Sequence, residues 1–246
     1  MENVLFPKDI DVSSLEYSEL RPFGEHAKIV YIKHKGSQLL IQTPLMKLPY
    51  GLGKYDDGER CKYSLDLSFG GDSPKVTALK NKLEEIDSKV LDDSVTNSLN
   101  WFKKKKQTKE VSQALFTPAV KVAMSEGEPT DKYPPTFKAK LHYSNDKFRV
   151  LCFDQDKQPV NPDLNALITK GQSVRAIVQL VGLWFAGSKF GISYEVKQLK
   201  MNPSSTISTY AFAEDSDEEE TTAVEVEEPS TTENNYVLDS EDEDDL

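Results

Sequence analysis

The pattern of apolar residues predicts a mainly β protein, a small closed or partly closed antiparallel barrel with one main helix inserted between its third and fourth strands. Three observations carry that expectation. Apolar–polar alternation recurs in short stretches along the chain, as it does in strands with one buried face. One stretch repeats at helical spacing instead. The last part of the chain is too charged, and too poor in large apolar residues, to join a core.

The elements follow in order. Residues 28–35 and 38–43 flank Gly36-Ser37, and that two-residue turn predicts a β-hairpin. In a third strand, residues 62–69, Tyr63, Leu65, Leu67 and Phe69 face one side and Lys62, Ser64, Asp66 and Ser68 the other. Gly70-Gly71-Asp72 breaks the sheet. Ser73 and Pro74 then supply the cap and first turn of a helix. Its Val76, Leu79, Leu83, Ile86 and Val90 fall at steps of three and four, making one apolar stripe, and a weaker helical continuation reaches Asn100. Beyond Trp101-Phe102 and four lysines, a Pro- and Gly-punctuated loop runs to Pro135. Phe137, Ala139, Leu141 and Tyr143 alternate with Thr136, Lys138, Lys140 and His142 in a further strand, which residues 148–153 are expected to pair across Ser144-Asn145-Asp146. Residues 164–169 suit a short turn of helix. The final hairpin is the most apolar, with residues 173–186 and 189–201 joined at Gly187-Ser188.

Charge divides the chain in two. The 246 residues carry 30 Lys and Arg against 41 Asp and Glu, a net charge of −11. From Glu214 to Leu246 there are 16 acidic side chains and no Lys or Arg, which leaves 30 basic against 25 acidic residues in the first 213. The body is therefore mildly basic, and the acidic pI belongs to the tail. Two units are expected: a globular domain over residues 1–210 and a disordered acidic tail over residues 211–246. Acidic residues (Glu2, Asp9, Asp11, Glu16, Glu19) interrupt the first 30 positions, so no signal peptide is expected. The longest apolar run, residues 176–186, is too short for a bilayer. The expectation is a soluble intracellular protein with no membrane partner.

Chemistry is sparse. Cys61 and Cys152 make no disulfide framework, and no Cys or His cluster offers a metal site. There is no Gly-x-Ser-x-Gly, no Gly-Lys-Ser/Thr phosphate loop and no Gly-x-Gly-x-x-Gly. Gly51-Leu52-Gly53-Lys54 reads as a turn between strands, Asp56-Asp57-Gly58-Glu59 as an exposed loop, and Cys152 as a small core residue. Neither catalysis nor a cofactor is expected.

What the body does carry is cations interleaved with aromatics. Holding single-stranded nucleic acid requires positive charge along the phosphates and flat side chains under the bases. The candidates are Lys28, Tyr31 and Lys33 on the first hairpin, Trp101 with Lys103 and Lys104 at the helix end, and Lys138 and Lys140 on one strand face. Arg149 follows, then Arg175, Trp184, Phe185, Lys189, Tyr194 and Lys197 on the final hairpin. Trp184 and Phe185 are adjacent and point to opposite faces, so they cannot both enter one core. Each candidate has a plainer reading: outward lysines serve solubility, strand aromatics fill cores, and the lysine run is a solvated or nuclear-targeting patch. The tail adds a regulatory reading. A polyanion can occupy a basic groove until nucleic acid displaces it. Tyr236, Asp239, Glu241, Asp242, Glu243, Asp244, Asp245 and Leu246 would then form a free terminus that a basic pocket on a partner can capture. The plainer alternative is a solubilising tail.

The chain resembles the single-stranded DNA-binding proteins of nucleocytoplasmic large DNA viruses and of podovirus-type phages. The likeness lies in Pro134-Pro135-Thr136-Phe137-Lys138-Ala139-Lys140-Leu141, similar to a mid-barrel strand, and in the closing hairpin, from Val174-Arg175-Ala176 to Trp184-Phe185 and from Gly191-Ile192-Ser193-Tyr194 to Lys200. The acidic end, Asp244-Asp245-Leu246, is also similar, although such tails commonly end in an aromatic and Tyr236 is the one aromatic after Glu214. The resemblance implies an OB-like barrel that coats single-stranded DNA in viral replication, recombination and repair. It also implies tail contacts with a DNA polymerase or helicase-primase, homodimerisation, and residence at a cytoplasmic viral replication site, in the nucleus or in the virion. Two rival readings stand beside it: an acidic-tailed scaffold or chaperone for basic proteins, and a structural virion protein.

Overall fold

The computed structural model describes residues 4–56, 58, 61–160 and 163–201. Its main elements are β1 (Ala27–His34), β2 (Leu39–Gln42), β3 (Met46–Lys47), β4 (Leu52–Asp56) and β5 (Cys61–Ser68), then α1 (Pro74–Thr96), α2 (Ser98–Phe102) and α3 (Lys109–Leu115), then β6 (Thr136–Leu141), β7 (Leu151–Phe153), β8 (Ser173–Ala186) and β9 (Lys189–Met201). Hydrogen-bonded neighbours form a closed ring. β8 pairs β9, β9 pairs β6, β6 pairs β5, β5 pairs β3, and β3 returns to β8. Every pairing in the ring is antiparallel except β6 with β9, whose strands run parallel because the β8 leg intervenes in the chain. This is the OB-like barrel, with α1 inserted between β5 and β6.

Alternation explains which faces close inward. Tyr63, Leu65 and Leu67 of β5 and Phe137, Ala139 and Leu141 of β6 are all buried. The α1 stripe, Val76, Leu79, Leu83, Ile86 and Val90, joins the same core. Pro74 occupies the first turn of α1, where a missing N–H costs nothing. Ser94 of α1 hydrogen-bonds Ser112 of α3 at 2.9 Å, and Gln107 donates to Ser112 at 3.0 Å, so a buried polar triad ties the two helices together.

The expected hairpin over residues 28–43 is not a hairpin. The chain does turn at Gly36, with His34 and Ser37 exchanging backbone hydrogen bonds of 2.8 and 3.1 Å. However, β1 and β2 lie end to end along one partner, β8: Ala27–Tyr31 faces Gly182–Ala186, and Leu39–Gln42 faces Ile177–Leu180. Between them Ile32–His34 leaves β8 to pair with Leu15–Tyr17. Gly182 marks the departure. A Cβ there would sit 2.2 Å from the Val30 carbonyl oxygen, so the close approach of the two backbones requires glycine.

The second expected pairing is also shorter than predicted. Tyr143–Ser144 pairs Lys147–Phe148 around Asn145 and Asp146, both in the left-handed region (φ 52° and 57°). β7 then leaves that strand and runs parallel to Gln198–Lys200 of β9. A helical turn at Leu164–Leu167 agrees with the sequence. The β8–β9 hairpin contains two compensating irregularities. Lys197 is skipped on β9 and Val181 on β8, so register lost at one is regained at the other.

Candidate nucleic-acid interface

The register of β4, β5, β6 and β9 assembles one exposed face. Tyr55 of β4 stands opposite Lys62 of β5, Ser64 and Asp66 of β5 stand opposite Lys140 and Lys138 of β6, and Lys140 stands opposite Glu195 of β9. Paired residues share a face, so the core positions on these strands force these side chains outward. Tyr55 is 64% exposed, and the Lys62 ammonium lies 5.6 Å from its ring centroid. Lys138 reaches Asp66 at 3.0 Å and Ser64 Oγ at 3.5 Å.

Lys140 differs from its neighbours. Desolvation lowers its ammonium pKa, Glu195 opposes that shift, and Lys62 adds to it. Glu195 itself is taken up by Lys197 and, at 3.8 Å, by His142 Nδ1. Lys140 makes no ion pair or hydrogen bond among the described residues. An outward cation whose nearest opposite charge, Glu195, is shared with Lys197, and which is flanked by two more lysines and an exposed ring, is suited to an anionic chain with flat bases.

A second outward group lies on β1 and β8. Tyr31 is 39% exposed and pairs Gly182, while Trp184, half-buried, pairs Ile29 and Gly191. Trp184 lies across Gly191, where a Cβ would meet its ring at 3.0 Å, so its exposed part is an edge above a glycine floor. Lys33 is exposed on the same strand as Tyr31, and Lys28 and Lys189 are exposed near the hairpin tip. Lys103 and Lys104 are exposed where α2 ends, Lys103 in the left-handed region (φ 59°). Arg149 is exposed, its Nε donating to Ser144 Oγ at 3.3 Å.

Three aromatics expected to stack on bases are core side chains. Trp101 is 5% exposed and packs edge-on against Tyr17 and Phe185, with centroids at 5.1 and 6.1 Å. Phe185 is 8% exposed and stacks on Phe190 at 5.8 Å, closing the hairpin end of the barrel beneath Trp101 and Phe102. Tyr194 is 2% exposed, edge-on to Phe137 at 4.9 Å, and burial raises its hydroxyl pKa well above the usual tyrosine value. No base can reach these rings without opening the core. Of the Trp184-Phe185 pair, Trp184 is the outward member. Arg175 stands apart from these groups, on the other half of β8. Tyr236, Asp239, Glu241, Asp242, Glu243, Asp244, Asp245 and Leu246 lie outside the described residues.

Tyr55 and Lys62 are site residues that the sequence pattern alone does not single out. The stretch 51–59 reads as turn and loop, yet between Gly51 (φ 70°) and Gly58 (φ 84°), which both take turn conformations, Leu52–Asp56 is a strand paired with β5. The available signal is that Tyr55 and Lys62 flank a short polar connection, as cross-strand partners do. Cys152 is a core residue, its thiol pushed up to about 11 by burial. Among the described residues no group of three or more His, Cys, Asp or Glu is arranged to hold a metal, and no helix is long and apolar enough to cross a membrane.

The structure is similar to the single-stranded DNA-binding protein of bacteriophage Enc34, solved in complex with single-stranded DNA, at 14% identity and a TM-score of 0.42 over 76% of this chain and 97% of that one. It is also similar to gp2.5, a single-stranded DNA-binding protein encoded by bacteriophage T7, at 11% identity and a TM-score of 0.42 over 74% of this chain and 92% of that one. No curated protein matches the sequence. Residues 73–214, from the cap of α1 through the closing hairpin and on to Glu214, match a family of unknown function, and the chain belongs to that family, DUF5871.

Proposed function

We propose that this protein binds single-stranded DNA without reading its sequence, on the outer face of β4, β5 and β6. The observation that carries the reading is the outward row of Lys138 and Lys140 on β6 with Lys62 and the exposed ring of Tyr55 beside it, in which Lys140 makes no ion pair among the described residues because Glu195 is held by Lys197. A phosphate group relieves that unpaired charge, and a tyrosine face accepts any unstacked base. A duplex keeps its bases stacked and offers Tyr55 nothing, so single strands are preferred. In OB-type barrels the second and third strands are the usual oligonucleotide face, and β5 and β6 occupy those places in the ring. In this reading the protein coats single strands during viral replication, recombination and repair. The 16 acidic residues after Ala213 compete for the same cations and recruit replication proteins such as a polymerase or helicase-primase.

The test is a titration of labelled oligo-dT and of duplex DNA at several salt concentrations. Full-length protein is compared with a chain ending at Thr209. The shorter chain should bind oligo-dT more tightly, prefer it over duplex, and weaken as salt rises. Absence of oligo-dT binding by both forms refutes the reading and leaves a scaffold for basic proteins as the stronger one.

A further inference from the structure

On the outer face of β7, β9 and the first half of β8 there is a groove of about 390 Å³. Two rows of cross-strand partners form its surface. One runs Phe153, Lys200, Arg175, and the next runs Gln198, Ile177, Gln42. Lys157 adds a third cation from the turn after β7, its backbone in the left-handed region (φ 64°). Among the described residues no Asp or Glu lines the groove. Arg175 and Lys200 are directly opposed like charges, an arrangement that destabilises a sheet. None of the three cations makes an ion pair or hydrogen bond among the described residues.

We infer that this groove is a second nucleotide subsite: Arg175, Lys200 and Lys157 take a phosphodiester, and Phe153, with the Gln42 and Gln198 amides, takes the adjoining base. The chemistry fits on each count. Three unpaired cations converge on one anion and lose their mutual repulsion when it binds. Phe153 gives a stacking face in the same row as the cations, and amides donate or accept at a base edge without demanding one base. Continuity argues for the DNA strand as the occupant. Glu195, beside Lys140, and Lys200, in the groove, lie five residues apart on the single strand β9, roughly 17 Å at the rise of a β-strand. A bound single strand can therefore run from the Lys140 face along β9 into the groove. The inference rests on the single-stranded DNA reading and extends its path.

The experiment uses the full chain and the variant Arg175→Gln/Lys200→Gln, titrated with oligo-dT of three and of about twenty-five nucleotides across a salt series. Circular dichroism confirms the fold, and Lys157→Gln, on an exposed turn, is a second variant that leaves the barrel strands untouched. The three-nucleotide probe, shorter than the roughly 17 Å from the Lys140 face to the groove, should bind the variant as it binds the parent. The long probe should bind the double variant at least tenfold more weakly, and the slope of log affinity against log salt should fall by about 0.7, for the one phosphate no longer neutralised. Equal long-probe affinity and slope in variant and parent overturn the inference while leaving the Lys140 face standing. That result would assign the groove's cations to another anion, such as an acidic peptide. A parent that binds neither probe removes the DNA reading itself, a result distinct from loss confined to the variant.

Discussion

Asp87 provides a test of how α1 is buried. It lies on the core side of α1, 6% exposed, with Oδ2 accepting the Ala119 N–H at 2.8 Å and Oδ1 without a partner among the described residues. Burial pushes its carboxyl up to about 7, against an ordinary 3.8, with the Ala119 N–H opposing the shift and Glu84 adding to it. The folded state thus holds a proton that the unfolded chain releases between about pH 4 and pH 7. Stability is greatest below that window and falls as pH rises through it, reaching a plateau above about 7. Three pH units of displacement correspond to about 4 kcal/mol at most. Asp87→Asn keeps an oxygen for the Ala119 N–H and removes the charge, although a buried amide N–H2 without an acceptor gives back about 1–3 kcal/mol. The variant should be more stable than the parent by about 1–3 kcal/mol at pH 8 and lose that advantage by pH 4.5. Urea unfolding of both full-length chains from pH 4.5 to 8.5 reads the difference, and protonation of the acidic tail cancels between them. A difference that does not change with pH, or a variant less stable at pH 8, refutes the account of a charge confined in the core.

Two other outcomes follow from named contacts. Gly182→Ala drives a Cβ to 2.2 Å from the Val30 oxygen, so it should cost more than about 3 kcal/mol in denaturant unfolding and separate β1 from β8; a cost under about 1 kcal/mol contradicts the close approach. Tyr55→Ala should leave stability unchanged and weaken oligo-dT binding by about 1–3 kcal/mol in a fluorescence titration, because its ring is 64% exposed and packs on no core.

Much of the fold is legible in the sequence because period-two and period-3.6 patterns are local. The β5 alternation, the α1 stripe and the outward placing of Lys138 and Lys140 need only neighbouring residues to be seen. The misreadings come from partners distant in the chain. A turn at Gly36-Ser37 marks a hairpin locally, but β1 and β2 both pair with β8, roughly 135 to 160 residues away, which their own residues do not announce. The aromatics are harder. Trp101 and Phe185 read as candidates because they sit beside lysines or on an apolar hairpin. Which face each takes depends on α2 closing the barrel end, a tertiary fact. Arg175 is legible as a cation, but its role beside Lys200 and Phe153 depends on β7 joining β9, whereas the local pattern suggests another partner for β7.

The central claim is that the face of β4, β5 and β6 holds single-stranded DNA through its lysines, and the most direct measurement is the salt dependence of oligo-dT binding by Lys138→Gln/Lys140→Gln. Both side chains point outward from β6, so the variant should stay folded and lose no more than about 1 kcal/mol with the Lys138–Asp66 pair. Its affinity should fall at least tenfold and its log–log salt slope by about 1.4, as for two phosphates left without a cation. An unchanged slope with parental affinity would contradict the account.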